Sequence, residues 1–268
     1  MSHARYVAEL RKRGFLTSTL PAAIRIAMLV RLFAVQASWN YEILIGNGIG
    51  FCVEPALRQL PGGVGGDQYR AALARQSQYF NAHPYLASFA VGALARAELE
   101  GQPSARIERF RTALCGPLGS VGDRLVWVGL LPTCSFAALL LFGLGASPLV
   151  CVLAFLSMYN AGHVALRFWG LQMGWEKGLA VAAALGHPIL REGPVWLARA
   201  GTLFAGMAIP LTVMRLVDGG GLPRIGITLA VAATGAGSLV LFHGRVEGWR
   251  LALLAGFAAL VLFLLRHA

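Results

Sequence analysis

The stretch LVWVGLLPTCSFAALLLFGLGASPLVCVLAFLSMYNAGHVAL, running from Leu125 to Leu166, contains no Asp, Glu, Lys or Arg. It follows directly on a Gly/Pro-rich segment, Cys115-Gly-Pro-Leu-Gly-Ser-Val-Gly-Asp-Arg124. One helical crossing of a bilayer needs about 20 apolar residues, so this charge-free stretch is long enough for two. The chain therefore reads as an all-α integral membrane protein. Its chemistry is expected where polar, helix-breaking sequence meets the hydrocarbon.

Composition supports that class. Hydrophobic residues make up 57% of the chain and charged residues 13%, with a mean hydropathy of +0.64, outside the range of ordinary soluble enzymes. The net charge of +11 does not indicate nucleic acid, because the basic residues are scattered between apolar segments rather than gathered into a stripe with interleaved aromatics. Retention of basic loops on the cytoplasmic side and attraction to anionic membrane lipid account for it. Residues 1–124 hold 14 Lys/Arg and 8 Asp/Glu, against 9 and 4 in residues 125–268, which favours a cytoplasmic amino terminus. Met1–Arg13 is polar, and Pro21, Arg25 and Arg31 break the apolar segment after it, so no cleavable signal is expected. Cys52, Cys115, Cys134 and Cys151 form no Cys-x-x-Cys pair, which reads as buried thiols rather than a disulfide framework or a metal site.

Two regions of one unit follow: an amphipathic or re-entrant region with polar motifs over 1–124, and a transmembrane helical region over 125–268. In the first, Pro21–Val35 predicts a surface-lying or partly buried helix. Gly46-Asn-Gly-Ile-Gly50 is expected to interrupt any helix, and Pro61-Gly-Gly-Val-Gly-Gly66 to form a turn-rich loop. Gln68–Phe80 has helical spacing, Pro84 disfavours helical geometry at His83, and Tyr85–Leu99 reads as a second short helix. The second region predicts about five hydrophobic spans, near Leu125–Gly143, Pro148–Leu166, Val195–Arg215, Ile225–His243 and Trp249–Leu265. Gly178–Leu190 is too short to span and reads as an interfacial helix ending at His187-Pro188. The expected fold is a polytopic helical bundle with re-entrant or broken helices.

Four polar motifs punctuate this pattern. Gln36, Trp39 and Asn40 share one helical face by spacing, with Glu42 beside it. Amides and a carboxylate exchange hydrogen bonds with hydroxyls, and an indole packs on the apolar face of a sugar, so the segment suits a neutral polyol; a solvated helix end with an interfacial tryptophan is the alternative. Phe80-Asn-Ala-His-Pro84 sets Asn81 beside a forced helix break, either to cap the next turn or to bond a substrate where unwound backbone lines a cavity. In the third, Gly116, Pro117, Gly119 and Gly122 form a glycine loop expected to open the backbone before a long apolar helix. Asp123 then falls near that helix's amino terminus, where the macrodipole favours its charge. A phosphate loop is excluded by the missing Lys-Ser/Thr after the last glycine, and Gly46–Gly50 fails the dinucleotide spacing. Arg167-Phe-Trp-Gly170 with Gly174-Trp-Glu-Lys-Gly178 has the composition of an interfacial belt. His163, one turn earlier, reads as a hydrogen-bond donor in helix packing rather than a proton relay.

Taken in order, Gln36-Ala-Ser-Trp-Asn-Tyr-Glu42, Phe80-Asn-Ala-His-Pro84, Gly116-Pro-Leu-Gly-Ser-Val-Gly-Asp123 and the Arg167–Gly178 pair resemble the IID subunit of the mannose/fructose/sorbose family of the sugar phosphotransferase system. The resemblance covers roughly residues 14–180. It implies a sugar-translocating unit formed with an integral IIC subunit, assembled as a multimer of IIC-IID pairs in the bacterial cytoplasmic (inner) membrane. Soluble IIA and IIB proteins would phosphorylate the incoming hexose or amino sugar. It further implies an elevator-like movement of a substrate-holding core.

Carried onto this chain, Asn40 and Glu42 match the family's polar pair, Asn81 its asparagine before the proline, and Asp123 its glycine-loop aspartate. With Gln36 and Trp39 these are the candidate sugar contacts. Ala82 stands where the family has threonine, Gly119-Ser120 where it has Ala-Gly, and Arg124 where it has an uncharged residue. The resemblance places the phosphohistidines on IIA and IIB, so the chain is expected to be a non-catalytic transport subunit without catalytic residues, metal or cofactor. A non-transporting scaffold or regulatory paralogue of the same fold is the alternative.

Overall fold

A computed structural model describes Ala8 and residues 20–217. The order is α1 (Ala22–Leu32), α2 (Gly46–Leu57), α3 (Asp67–Gln76), α4 (Ala87–Leu99), α5 (Ser104–Asp123), α6 (Leu131–Gly143), α7 (Pro148–Lys177) and α8 (Pro188–Val217). A π-helical turn, Arg124–Leu130, joins α5 to α6, and a 3₁₀ segment, Gly178–Gly186, joins α7 to α8. Among the described residues there is no strand, only two isolated bridges at Asn40, Leu44 and Phe80.

Two helical runs, Ser104–Gly143 and Pro148–Leu216, are long and apolar enough to cross a membrane. They contain the expected spans at Leu125–Gly143, Pro148–Leu166 and Val195–Arg215; those at Ile225–His243 and Trp249–Leu265 lie outside the described residues. The boundary drawn at residue 124 falls inside the first run. None of α1–α4 exceeds 13 residues, about 20 Å of helix at 1.5 Å per residue, too short for a hydrocarbon core of about 30 Å.

The centre of the amino-terminal body is α4, buried along its whole length except at Arg96. It packs on α7 by backbone approach: a Cβ on Gly92 would overlap the Leu171 carbonyl, and one on Gly174 would overlap that of Phe89. Arg96 crosses to the end of α7 and donates to the carbonyls of Trp175 and Glu176 at 2.9 and 3.1 Å, satisfying orphan acceptors where Gly178 turns the chain at φ 52°.

The long helices meet as helices do in lipid, through small residues and hydroxyls. Thr133 Oγ1 donates to the carbonyl of Leu197 on α8 at 2.8 Å and sits against Gly201, Thr212 reaches the Leu139 carbonyl, and Arg215 donates to those of Phe142 and Ala146. Residues 129–143 therefore run parallel to 197–215.

Two sequence expectations change here. Gly46–Gly50 does not interrupt a helix; it begins α2, because its glycines meet the chain closely, Gly46 at the Gln78 carbonyl, Gly48 at that of Val35 and Gly50 at the Ser77 hydroxyl. The Arg167–Gly178 segment does not face outward as a whole, as an interfacial belt would: Phe168, Glu176 and Lys177 are exposed, but its other cation and one tryptophan are turned inward. Arg167 and Trp175 are buried, because Gly170 and Gly174 let α7 lie flush against α4. The turn at Pro61–Gly66 forms as expected, with Gly62 and Gly63 at φ 82° and 59°.

Candidate functional site

The segment leading to Asn81 is fixed from both sides. Phe80, fully buried, donates through its amide to the Ile43 carbonyl and accepts from the Ile45 amide, both at 3.2 Å. From α5, Arg111 donates to the Gln76 side chain at 2.6 Å and to the carbonyls of Gln76 and Gln78 at 3.0 and 2.9 Å, with its guanidinium over the Phe80 ring. Gln76 in turn donates to Glu98, which also takes a two-pronged ion pair from Arg75. Charge-assisted bonds of this kind, away from water, are strong and geometrically demanding. They hand Asn81 and His83 a rigid approach.

Pro84 then blocks helix, and α4 starts only at Ala87, whose amide, with that of Leu86 just before it, donates to the His83 carbonyl. The His83 ring is buried, and Nδ1 accepts from the Tyr85 amide at 3.2 Å. That bond leaves the proton of the neutral ring on Nε2, which is buried without a hydrogen-bond partner. Burial, helped by the charge of Arg167, pushes the pKa of His83 down to about 4, so the ring is neutral near pH 7.

Opposite this loop lies one face of α5. The segment 116–122 is not an opened loop: the helix continues through Pro117 and through the π-turn, so Asp123 sits within a 40-residue helical run and not at an amino terminus. Packing overrides the breaking tendency of the glycines, whose role is to omit side chains. Gly116 and Gly119 face open space, while a Cβ on Gly122 would overlap the His83 side chain. Cys115, Gly116, Gly119, Ser120 and Asp123 recur at helical spacing, and with Asn81–Pro84 they enclose a cavity of about 270 Å³. Asn81 and Asp123 are solvent-exposed, and neither side chain has a partner among the described residues. Small-ligand sites begin near about 300 Å³.

The first motif is built differently from its sequence expectation. Residues 33–38 form successive turns and not a helix, so Gln36, Trp39 and Asn40 share no helical face. Asn40 makes an Asx-type turn, its Oδ1 accepting from the amides of Glu42 and Ile43 at 3.0 Å each. Gln36, Trp39 and Glu42 are exposed, Trp39 meeting Tyr41 edge-on. None of the four lines the cavity, although the Ile43–Phe80 bonds set their loop beside the Asn81 segment.

A profile of the PTS system mannose/fructose/sorbose family IID component matches residues 19–193. The chain belongs to this IID family. A sorbose-specific EIID component of Klebsiella pneumoniae is 34% identical over 176 residues, 62% of this chain and 61% of the relative's length. The mannose-specific EIID component of Escherichia coli K12 is 28% identical over 199 residues, 68% of each chain. The fructose permease IID component of Bacillus subtilis is 30% identical over 210 residues, 73% of this chain and 74% of that one. Among solved structures, a chain of the mannose transporter ManYZ in complex with microcin E492 aligns over 91% of this chain and 96% of its own at TM-score 0.55 and 21% identity. Another, described as a membrane protein, aligns over the same shares at TM-score 0.66 and 22% identity. At these identities the likeness is one of fold, that of a helical membrane protein.

Within this IID fold, several cavity residues were not singled out as site residues from sequence: His83, Cys115 and Ser120. Pro84 was the available signal for His83, since a residue forced out of helix beside a proline exposes its side chain to whatever packs opposite. A second polar cluster was also missed. Arg167 donates to His163 Nδ1 at 2.7 Å and lies over the rings of Tyr85 and Phe33, at 4.2 and 4.9 Å from their centroids. Because Arg167 can only donate, the His163 proton sits on Nε2 and is given to Asn160 Oδ1 at 2.7 Å. His163 thus donates within its own helix and not across a helix–helix contact; it meets the neighbouring segment by stacking on Tyr85, 4.9 Å between ring centroids, and the cluster clamps Tyr85, two residues from His83.

Proposed function

We propose that this IID chain pairs with an IIC membrane subunit in a phosphotransferase permease and supplies part of a binding site for a hexose or amino sugar. The cavity between Asn81–Pro84 and α5 is the subsite. One observation carries the reading: Asn81, His83 and Asp123 line one cavity, the first and last exposed to it without a protein partner among the described residues and the imidazole buried in its wall with Nε2 unpaired. The amide of Asn81 donates and accepts, the carboxylate of Asp123 accepts, and the buried Nε2–H of His83 donates. A buried donor without a partner costs about 1–3 kcal/mol, which a ligand oxygen would return. Hydroxyl groups, each donor and acceptor, suit such a mixture.

Gln36, Trp39 and Glu42 stand exposed on the adjoining loop, placed to complete the sugar site together with the partner, while Asn40 positions that loop. Phosphate reaches the sugar from soluble IIA and IIB proteins, and this chain carries no phosphoryl group. The setting is the bacterial cytoplasmic membrane, with the amino terminus on the cytoplasmic side and IIC-IID pairs assembled into multimers.

Phosphoenolpyruvate-dependent sugar uptake in vesicles containing IIC, with and without this chain, tests the reading. Uptake is expected only when both are present. Equal uptake without the chain would overturn it, and full uptake by an assembled Asn81→Ala/Asp123→Ala chain would favour a non-transporting scaffold.

A further inference from the structure

A larger cavity, about 900 Å³, lies on the other side of the π-turn, between residues 124–128 and α8. Its mouth is basic: Arg124 and Arg191 stand there at one level, because residues 125 and 193 face each other where the two helices run in parallel. Arg199 is two turns deeper, about 12 Å along the helix, yet its guanidinium packs on Trp196, one turn back toward the mouth. It thus sends its charge outward along an apolar wall, as basic side chains do near a membrane interface. Between and beyond these arginines the groove is apolar, walled by Val195 on the mouth side of Arg199 and by Leu203 and Met207 deeper in, all exposed.

None of the three arginines forms an ion pair among the described residues. Glu192, the only carboxylate of α8, does not line the groove. Arg124 immediately precedes the charge-free stretch Leu125–Leu166, as a residue at the edge of the hydrocarbon does. A ligand matching this surface needs a negative head at the membrane edge and an acyl chain at least about 12 Å long running inward. We infer that this groove is a binding site for an anionic phospholipid, with the headgroup phosphate held by Arg124, Arg191 and Arg199 and a tail laid against Val195, Leu203 and Met207.

Native mass spectrometry of the purified full chain, titrated with phosphatidylglycerol or phosphatidylcholine of identical tails, reads this directly. Phosphatidylglycerol is expected to bind at least about tenfold tighter. Each basic residue near a lipid surface contributes about fivefold, so R124Q/R191Q/R199Q should weaken phosphatidylglycerol on the order of a hundredfold, and Arg→Lys replacements should retain most of the binding. Leu203→Trp, which fills the tail groove and leaves every charge in place, should weaken both lipids. R70Q/R106Q/R109Q, an equal charge loss on exposed helix faces elsewhere, should change nothing. Inorganic phosphate at millimolar concentration should not displace the lipid. Equal retention of the two lipids, unchanged binding by the groove variants, or an equal effect of the distant arginines would each overturn the proposal. A photo-crosslinker at Leu203 that captured a polypeptide instead of lipid would overturn it in favour of a helical occupant.

Discussion

At residue scale the cavity is defined by what its side chains lack. Asn81 and Asp123 have no partner among the described residues, whereas Asn40 spends its carbonyl oxygen on two backbone amides. The two groups should therefore respond differently to truncation. Asn81→Ala is expected to weaken sugar affinity about tenfold and Asp123→Asn between tenfold and a hundredfold, as for neutral and charge-assisted bonds, both measurable by sugar binding to the assembled complex. Asn40→Ala should act on the turn. His83 also predicts a pH response. Its folded pKa lies near 4 against an ordinary 6.5, so between these values the unfolded chain takes up a proton that the folded chain refuses. Stability should fall as pH drops through that window, by at most ~3 kcal/mol, and His83→Asn should flatten the change. Glu54 acts lower on the scale. Burial opposes its ionisation, but hydrogen bonds from Arg58, Tyr69 and Arg31 win and hold its pKa below the ordinary 4.5, so its contribution persists until the pH falls through that lowered value. Thermal inactivation midpoints from pH 7 to 3, with and without the His83 substitution, separate the two.

At the scale of elements, glycine positions on one helix face carry opposite demands. Gly119 borders empty space, and Gly122 touches the His83 side chain. Gly119→Ala should leave the protein folded while narrowing the cavity, so sugar affinity falls with little change in thermal midpoint. Gly122→Ala must displace the imidazole and should cost about 1–3 kcal/mol of stability. The Arg75–Glu98–Gln76–Arg111 network is a second structural lever. Removing one member strands buried charge, so Glu98→Ala should destabilise by about 3–5 kcal/mol and raise hydrogen exchange over residues 76–83 first. These contrasts also mark what sequence could convey. Pro84 and the Pro61–Gly66 turn were legible because their constraint is local, written in φ and in a missing amide. The helicity of 116–122 was not, because the same glycines that weaken an isolated helix become contact points once α5 meets the His83 loop, some 35 residues earlier in the chain. Arg167 looked interfacial by composition; its burial depends on Phe33 and Tyr85, which no local pattern connects to it.

At the scale of the molecule, hydropathy identified the membrane class and the ordered motifs identified the family. Neither could foresee that two motifs converge on one cavity, since that depends on Arg111 and Ile43 holding the Asn81 segment against α5. The short helices α1–α4 and the α6–α8 pair are joined largely through α5 and α7, which suggests an experiment on their independence. Thr133→Val removes the hydroxyl shared between the Gly129 and Leu197 carbonyls and should cost about 0.6–1.7 kcal/mol. Hydrogen exchange should rise in α6 and α8 and remain unchanged over 76–83.

The π-turn at Arg124–Leu130 has an effect on phase. Such a turn amounts to an inserted residue in an otherwise α-helical rod, and each residue of an α-helix advances the face by about 100°. The helix that offers Gly119 and Asp123 to the cavity on one side thereby offers Thr133 to Leu197 on another. Deleting a single residue among Val126–Gly129 would regularise the rod and rotate everything beyond it by roughly that angle, so that only one of the two docking faces could remain engaged. The length of this segment, more than its side chains, keeps both halves of the protein in register.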